Sequence, residues 1–109
     1  MDTWDLNSLD VEPYKPQVLD SEAEGRAIVI NLPAGEKLNE HQVHERAWLL
    51  VTDGEIEVAD ADGSKTGSTG FLAIFDPKER HVVVANSDAR LPLVLAPWPG
   101  EGHPSQRGS

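Results

Sequence analysis

"GEKLNEHQVHERAWLLVTDG", residues 35–54, carries the turns, the histidines and the apolar run on which the fold depends. It follows Pro33–Ala34, starts at Gly35 and closes on Asp53–Gly54. Between these turns lie His41 and His44, two of only four histidines in the chain, and the apolar run Ala47–Val51. Asp-Gly flanked by β-rich runs is a hairpin signal, so "AWLLVTDGEIEVAD" predicts two strands joined by a tight turn. His41 and His44 are three apart, whereas residues on one face of a strand are two apart. A regular strand therefore cannot turn both to the same side. A bulge near Val43 would bring His44 inward.

Working outward, "RAIVINL" (26–32) is β-branched, short and bounded by Gly25 and Pro33, which predicts a strand. Downstream, "FLAIF" (71–75), "HVVVANS" (81–87) and "RLPLVLA" (90–96) predict three more. Pro92 lacks a backbone N–H and points to an edge strand or a bulge. Residues 59–70, "ADADGSKTGSTG", read as a loop with a second tight turn at Asp62–Gly63. Pro13 and Pro16 interrupt regular structure in a polar N-terminal arm, residues 1–25. The tail, residues 98–109, is rich in Pro and Gly and reads as irregular, with Trp98 anchoring its start. No long helix and no repeat is present in the pattern. The sum is an all-β fold, a sandwich or barrel of six to eight or more short antiparallel strands over residues 26–97.

The apolar neighbours in "AWLLV" and "HVVVA" predict strands buried on both faces. By alternation Ala47, Leu49 and Val51 face inward, and Trp48 and Leu50 face outward. Phe71, Ile74 and Phe75 read as core. The outward apolar face must cover a second sheet, the N-terminal arm or a partner subunit, and a homodimer is expected.

Nine basic residues against 19 acidic ones give a net charge of −10. That balance argues against nucleic acid and anionic membranes, both of which are recognised through basic surface. There is no cysteine, so disulfides and thiolate metal sites are excluded. Any metal must sit on imidazole and carboxylate, which suits Fe, Mn, Zn, Ni or Cu. The N-terminus lacks signal-peptide character and no run reaches transmembrane length, so a cytoplasmic protein is expected. "GSTG" (67–70) lacks the spacing of a nucleophile elbow, and "GSK" near residue 64 lacks the upstream glycine of a phosphate loop.

The frame of these residues resembles the cupin family. Gly35, five residues and then His41 match the start of that family's first motif, and Gly54 falls where its shorter version ends. Gly70 and His81 keep the eleven-residue separation of the second motif, although Pro77 and Asn86 each fall one place late. The spacer, residues 55–69, is short, as in compact single-domain cupins. The resemblance implies a single jelly-roll barrel whose inner face holds a divalent metal on three histidines and a glutamate. It implies dioxygenase-type or isomerase-type chemistry on a small organic molecule where the domain is catalytic.

This chain departs from the pattern where two ligands should be, with Val43 for a histidine and Ala47 for the glutamate. The candidate metal ligands are therefore His41 and His81, with His44 as a third if the strand bulges. Three readings stand side by side: a three-histidine metal site, two histidines in a metal-free polar pocket, and a structural dimer. Whether the protein is an enzyme stays open. Glu40 and Glu45 can substitute for the missing carboxylate, but Glu is seldom buried, which favours solvated charges at a strand end. Arg46 and Arg80 can contact an anion, but surface pairs with Glu45 or Glu79 are preferred. His103 reaches the site only if the tail folds back.

Overall fold

The computed structural model describes residues 1–41, 45–77 and 79–97, with 39–41 at the level of the backbone. Nine strands follow one another: β1 (Gln17–Glu22), β2 (Gly25–Leu32), β3 (Lys37–His41), β4 (Arg46–Leu50), β5 (Ile56–Asp60), β6 (Gly63–Gly67), β7 (Leu72–Phe75), β8 (His81–Ala85) and β9 (Ala89–Ala96). They form a five-stranded sheet, β1-β2-β9-β4-β7, and a four-stranded sheet, β3-β8-β5-β6. Every strand pairing in both sheets is antiparallel. The all-β jelly-roll expectation holds.

Alternation builds the core. Ala47 and Leu49 on β4, followed by Val51, face Phe75 on β7, Leu91 on β9, Ile56 and Val58 on β5, and Val83 and Ala85 on β8. Leu32, Ile56 and Leu91 have no exposed surface. Removing such area from water contributes about 2 kcal/mol per large aliphatic side chain.

Several expectations need correction. Asp53–Gly54 does not close a hairpin: β4 lies in the five-stranded sheet and β5 in the four-stranded one. The turn carries the chain across the barrel, because the inward residues of β4 and β5 must meet from opposite sides. Gly54 has φ +84°, and a Cβ there would fall 2.1 Å from the Asp88 carbonyl oxygen. Only glycine fits a left-handed conformation with backbone pressed so closely against it.

The segment 59–70 is not all loop, since β6 pairs with β5 from Asp60↔Gly63 to Ile56↔Gly67. The N-terminal arm likewise holds β1, paired with β2 through an irregularity between Val18 and Asp20. Its polar composition suits an edge strand, which is why the apolar pattern gave no sign of it.

Pro92 sits in β9, which lies between β2 and β4 rather than at an edge. The N–H of Arg90 points to Asp53 on the β4 side, and amides two residues apart point the same way. The donor that Pro92 lacks would therefore face β4. There the ladder stops at Leu49↔Leu93, and Val51 turns instead to bond with Phe71 and Gly70. The missing N–H falls in a gap in the ladder. Ile74 is not core either. It lies on the outer face of β7 and is 51% exposed, opposite Trp48 in the register.

Candidate site at the histidine end of the barrel

β3 ends where β8 begins, so the two strands meet at one end of the barrel. Their register runs Lys37↔Val84, Leu38↔Val83 and then His41↔His81. Two residues of β3, Asn39 and Glu40, thus stand against Val82 alone. An unbroken ladder would have placed Glu40 opposite His81. The extra residue on β3 gives that position to His41 instead, as a β-bulge does. This irregularity lies before His41; the bulge expected beside Val43 falls outside the described residues. His44 and Val43 lie outside the described residues, as do Trp98 and His103, and nothing of the His41 or Glu40 side chain is described.

His81 is half-buried and stacked on Phe75, with ring centroids 3.7 Å apart and planes within 3°. Phe75 itself is 4% exposed. The Nδ1 of His81 lies 3.2 Å from the carbonyl oxygen of Glu79. Glu79 belongs to a turn closed in both directions. Its N–H donates to the Asp76 carbonyl at 3.1 Å, and the Asp76 N–H donates to its Oε1 at 2.9 Å. Asp76 also accepts from the Arg46 guanidinium on β4. Arg46 therefore makes a surface pair, as expected, but with Asp76 rather than Glu45. Arg80 is exposed.

Glu45 is the clearest departure from the sequence reading. It is 2% exposed, the one buried charged residue among those described. Alternation explains why: Glu45, Ala47, Leu49 and Val51 are two apart and share the inner face. That phase was legible, but the usual exposure of glutamate outweighed it. Ala47, at the position of the missing family carboxylate, is 3% exposed and packs in the core with Phe75. The carboxylate on this face thus stands one step nearer the barrel end. The roles of Phe75 and Glu79 had no sequence signal, because both depend on where β7 and the following turn lie in space.

A groove of about 490 Å³ opens between β6 and β7, and Val58, Lys65, Phe71, Phe75 and Glu79 help to line it. Phe75 and Glu79 both contact His81, so the groove adjoins that ring. A second cleft, about 420 Å³, lies at the other end of the barrel. Its polar groups are already engaged. Arg90 donates to Asn31 Oδ1 at 2.8 Å and to the Leu6 carbonyl at 2.7 Å, and Asp88 accepts from the Ala34 N–H. Tyr14, in the arm at this end, has φ +68°. Its hydroxyl pKa is raised, by desolvation first and then by a hydrogen bond to Glu36 and that carboxylate's charge. Asn86, the late match to the second motif, bonds through Nδ2 to Glu55 at 2.9 Å, far from His81.

Among the described residues no group of three or more His, Asp or Glu could hold a metal ion. Among the described residues no helix is long and apolar enough to cross a membrane.

Two antiparallel sheets closed over one core, with paired histidines at one end, define the protein as a cupin-fold barrel. Solved structures agree. An RmlC-like cupin protein from Desulfovibrio desulfuricans is 17% identical with a TM-score of 0.78, over 89% of this chain and 97% of that one. The Cnp3 cupin domain of Schizosaccharomyces pombe is 19% identical with a TM-score of 0.77, over 97% of this chain and 80% of that one. KdgF from Halomonas sp. is 16% identical with a TM-score of 0.72, over 84% and 90%. No protein-family model matches the sequence, and no curated protein matches it either.

Proposed function

We propose that this is a small cupin-fold protein that binds a divalent transition metal at the histidine end of its barrel and takes a small organic molecule beside it. The observation that carries this reading is the bulge in β3, which spends a backbone irregularity on making His41 the register partner of His81. His41, His81 and the inward Glu45 carboxylate would hold the metal, with His44 as the further imidazole named by the sequence. Two imidazoles and a carboxylate, with no thiolate, fit Fe, Mn, Zn, Ni or Cu by donor type. The position of Glu45 supports the same reading, since it places a carboxylate on the inner face of the barrel. Such a metal, when bound, supplies polarisation of a substrate oxygen or activation of dioxygen, the basis for dioxygenase-like or isomerase-like chemistry. The groove beside Phe75 is within the size range of small-molecule sites.

The test is metal analysis of protein purified without added metal and again after loading. Near-stoichiometric metal, lost in His81→Ala, is expected. A content near zero that loading cannot raise would sink the metal reading. Ala47 favours a second reading, in which the same groups only hydrogen-bond an organic ligand. A metabolite that stabilises metal-free protein would select it.

The same proposal includes a second copy of the chain. The outward positions of β2, β9, β4 and β7 carry no acidic residue, in a chain with 19 of them. They do carry Leu72, Ile74 and Val94, which are 52%, 51% and 42% exposed, around Trp48. Two copies can meet on this face without bringing their negative charges together. Light scattering on the eluting protein should give a dimer mass. Ile74→Glu should shift it to the monomer while circular dichroism stays unchanged, and a monomeric wild type at micromolar concentration would exclude the dimer.

A further inference from the structure

We infer that Phe75 and Glu79 are positioning residues that fix both the plane and the tautomer of His81, so that its Nε2 carries the lone pair. A carbonyl oxygen can only accept a hydrogen bond. The contact of His81 Nδ1 with the Glu79 carbonyl at 3.2 Å therefore requires Nδ1 to hold the proton. In neutral imidazole that leaves Nε2 as the lone-pair atom.

The two contacts do different things. The parallel stack on Phe75, 3.7 Å between centroids and 3° between planes, fixes the ring plane. A half-turn of the ring would preserve the stack, but it would replace Nδ1 by a carbon at the Glu79 carbonyl. The carbonyl therefore decides which of the two flips is adopted. It is itself held, because the Asp76–Glu79 turn is bonded both ways and pinned to β4 through Arg46. The chain Arg46–Asp76–Glu79–His81 links the outer surface of one sheet to a histidine in the other.

The use of this arrangement rests on the proposal that His81 is a ligand. An imidazole donates through the nitrogen that bears no proton, and partners on the other nitrogen orient it. The geometric claim stands apart from that use, and the experiment separates them.

Long-range proton–nitrogen correlation spectra of the full, metal-free chain, recorded at a pH where imidazoles are neutral, report the tautomer of each histidine. His81 is assigned by its loss in His81→Gln. The expected result is Nδ1–H at His81, the less common form in water. Glu79→Ala, which removes the Oε1 bond to Asp76, should move His81 toward the Nε2–H form. Glu79→Gln keeps an acceptor there and should restore the wild-type pattern. If zinc binds, Glu79→Ala should weaken it about tenfold, in line with the loss of an orienting partner. An Nε2–H tautomer in the wild type would overturn the inference whether or not metal binds. An Nδ1–H tautomer in a protein that takes up no metal would uphold it while removing the metal reading.

Discussion

The two ends of the barrel are built from the same strands and do opposite things. At the Arg90 end, polar groups are tied to one another. Arg90 reaches Asn31 and Leu6, its N–H bonds to Asp53 at 2.9 Å, and its carbonyl receives the Thr52 N–H at 3.0 Å. Gly54 is pressed against Asp88, and the N-terminal arm is drawn over β2 by the 2.7 Å bond from Asn31 to the Val11 carbonyl. At the histidine end, a bulge, a stacked imidazole and a buried carboxylate occupy the same inner face. The first arrangement ties the arm and the inter-sheet turn to the barrel, and the second gathers a histidine and a carboxylate at the other end. The difference teaches that the bonds at the Arg90 end tie the N-terminal arm and the inter-sheet turn to the barrel, whereas those at the histidine end run through one turn to a single imidazole ring.

The largest break of that contrast should come from Gly54→Ala. Its Cβ meets backbone rather than a flexible side chain, in a left-handed conformation. A loss of about 3 kcal/mol or more is expected, read as a fall in the urea midpoint. Arg90→Ala should follow, at about 2 kcal/mol, because hydrogen bonds to a charged group are lost and their acceptors left behind. The same variant should loosen the arm, read as faster hydrogen exchange at the Tyr14 amide, which bonds to Asn31. His81→Ala should cost least, about 1 kcal/mol for a lost aromatic stack, while metal uptake disappears. If His81→Ala proved more destabilising than Arg90→Ala, the division between the ends would fail.

Much of the barrel was legible because strand alternation and glycine-marked turns are local. The strands at 26–32, 71–75, 81–87 and 90–96 all recur within a residue or two of their expected limits. β1 and β6 were missed because both are edge strands with largely exposed side chains, and an exposed strand leaves no hydrophobic period. At the site, the sequence singled out His41 and His81 through their spacing from Gly35 and Gly70. It misjudged Glu45, where a general preference of glutamate for water was set against a phase that Ala47, Leu49 and Val51 made plain.

The sequence by itself determined that this chain is all-β, acidic and free of thiols, with three of its four histidines beside two apolar strands. Those properties follow from composition and from periods of two residues. Only the tertiary structure decided that Asp53–Gly54 joins two sheets instead of one hairpin, that Pro92 lies inside a sheet, and that His41 rather than Glu40 meets His81. Each depends on which strand lies beside which, and on a one-residue insertion in a ladder between strands some 40 residues apart. A chain read in order carries no local signal of a register set by packing across the barrel.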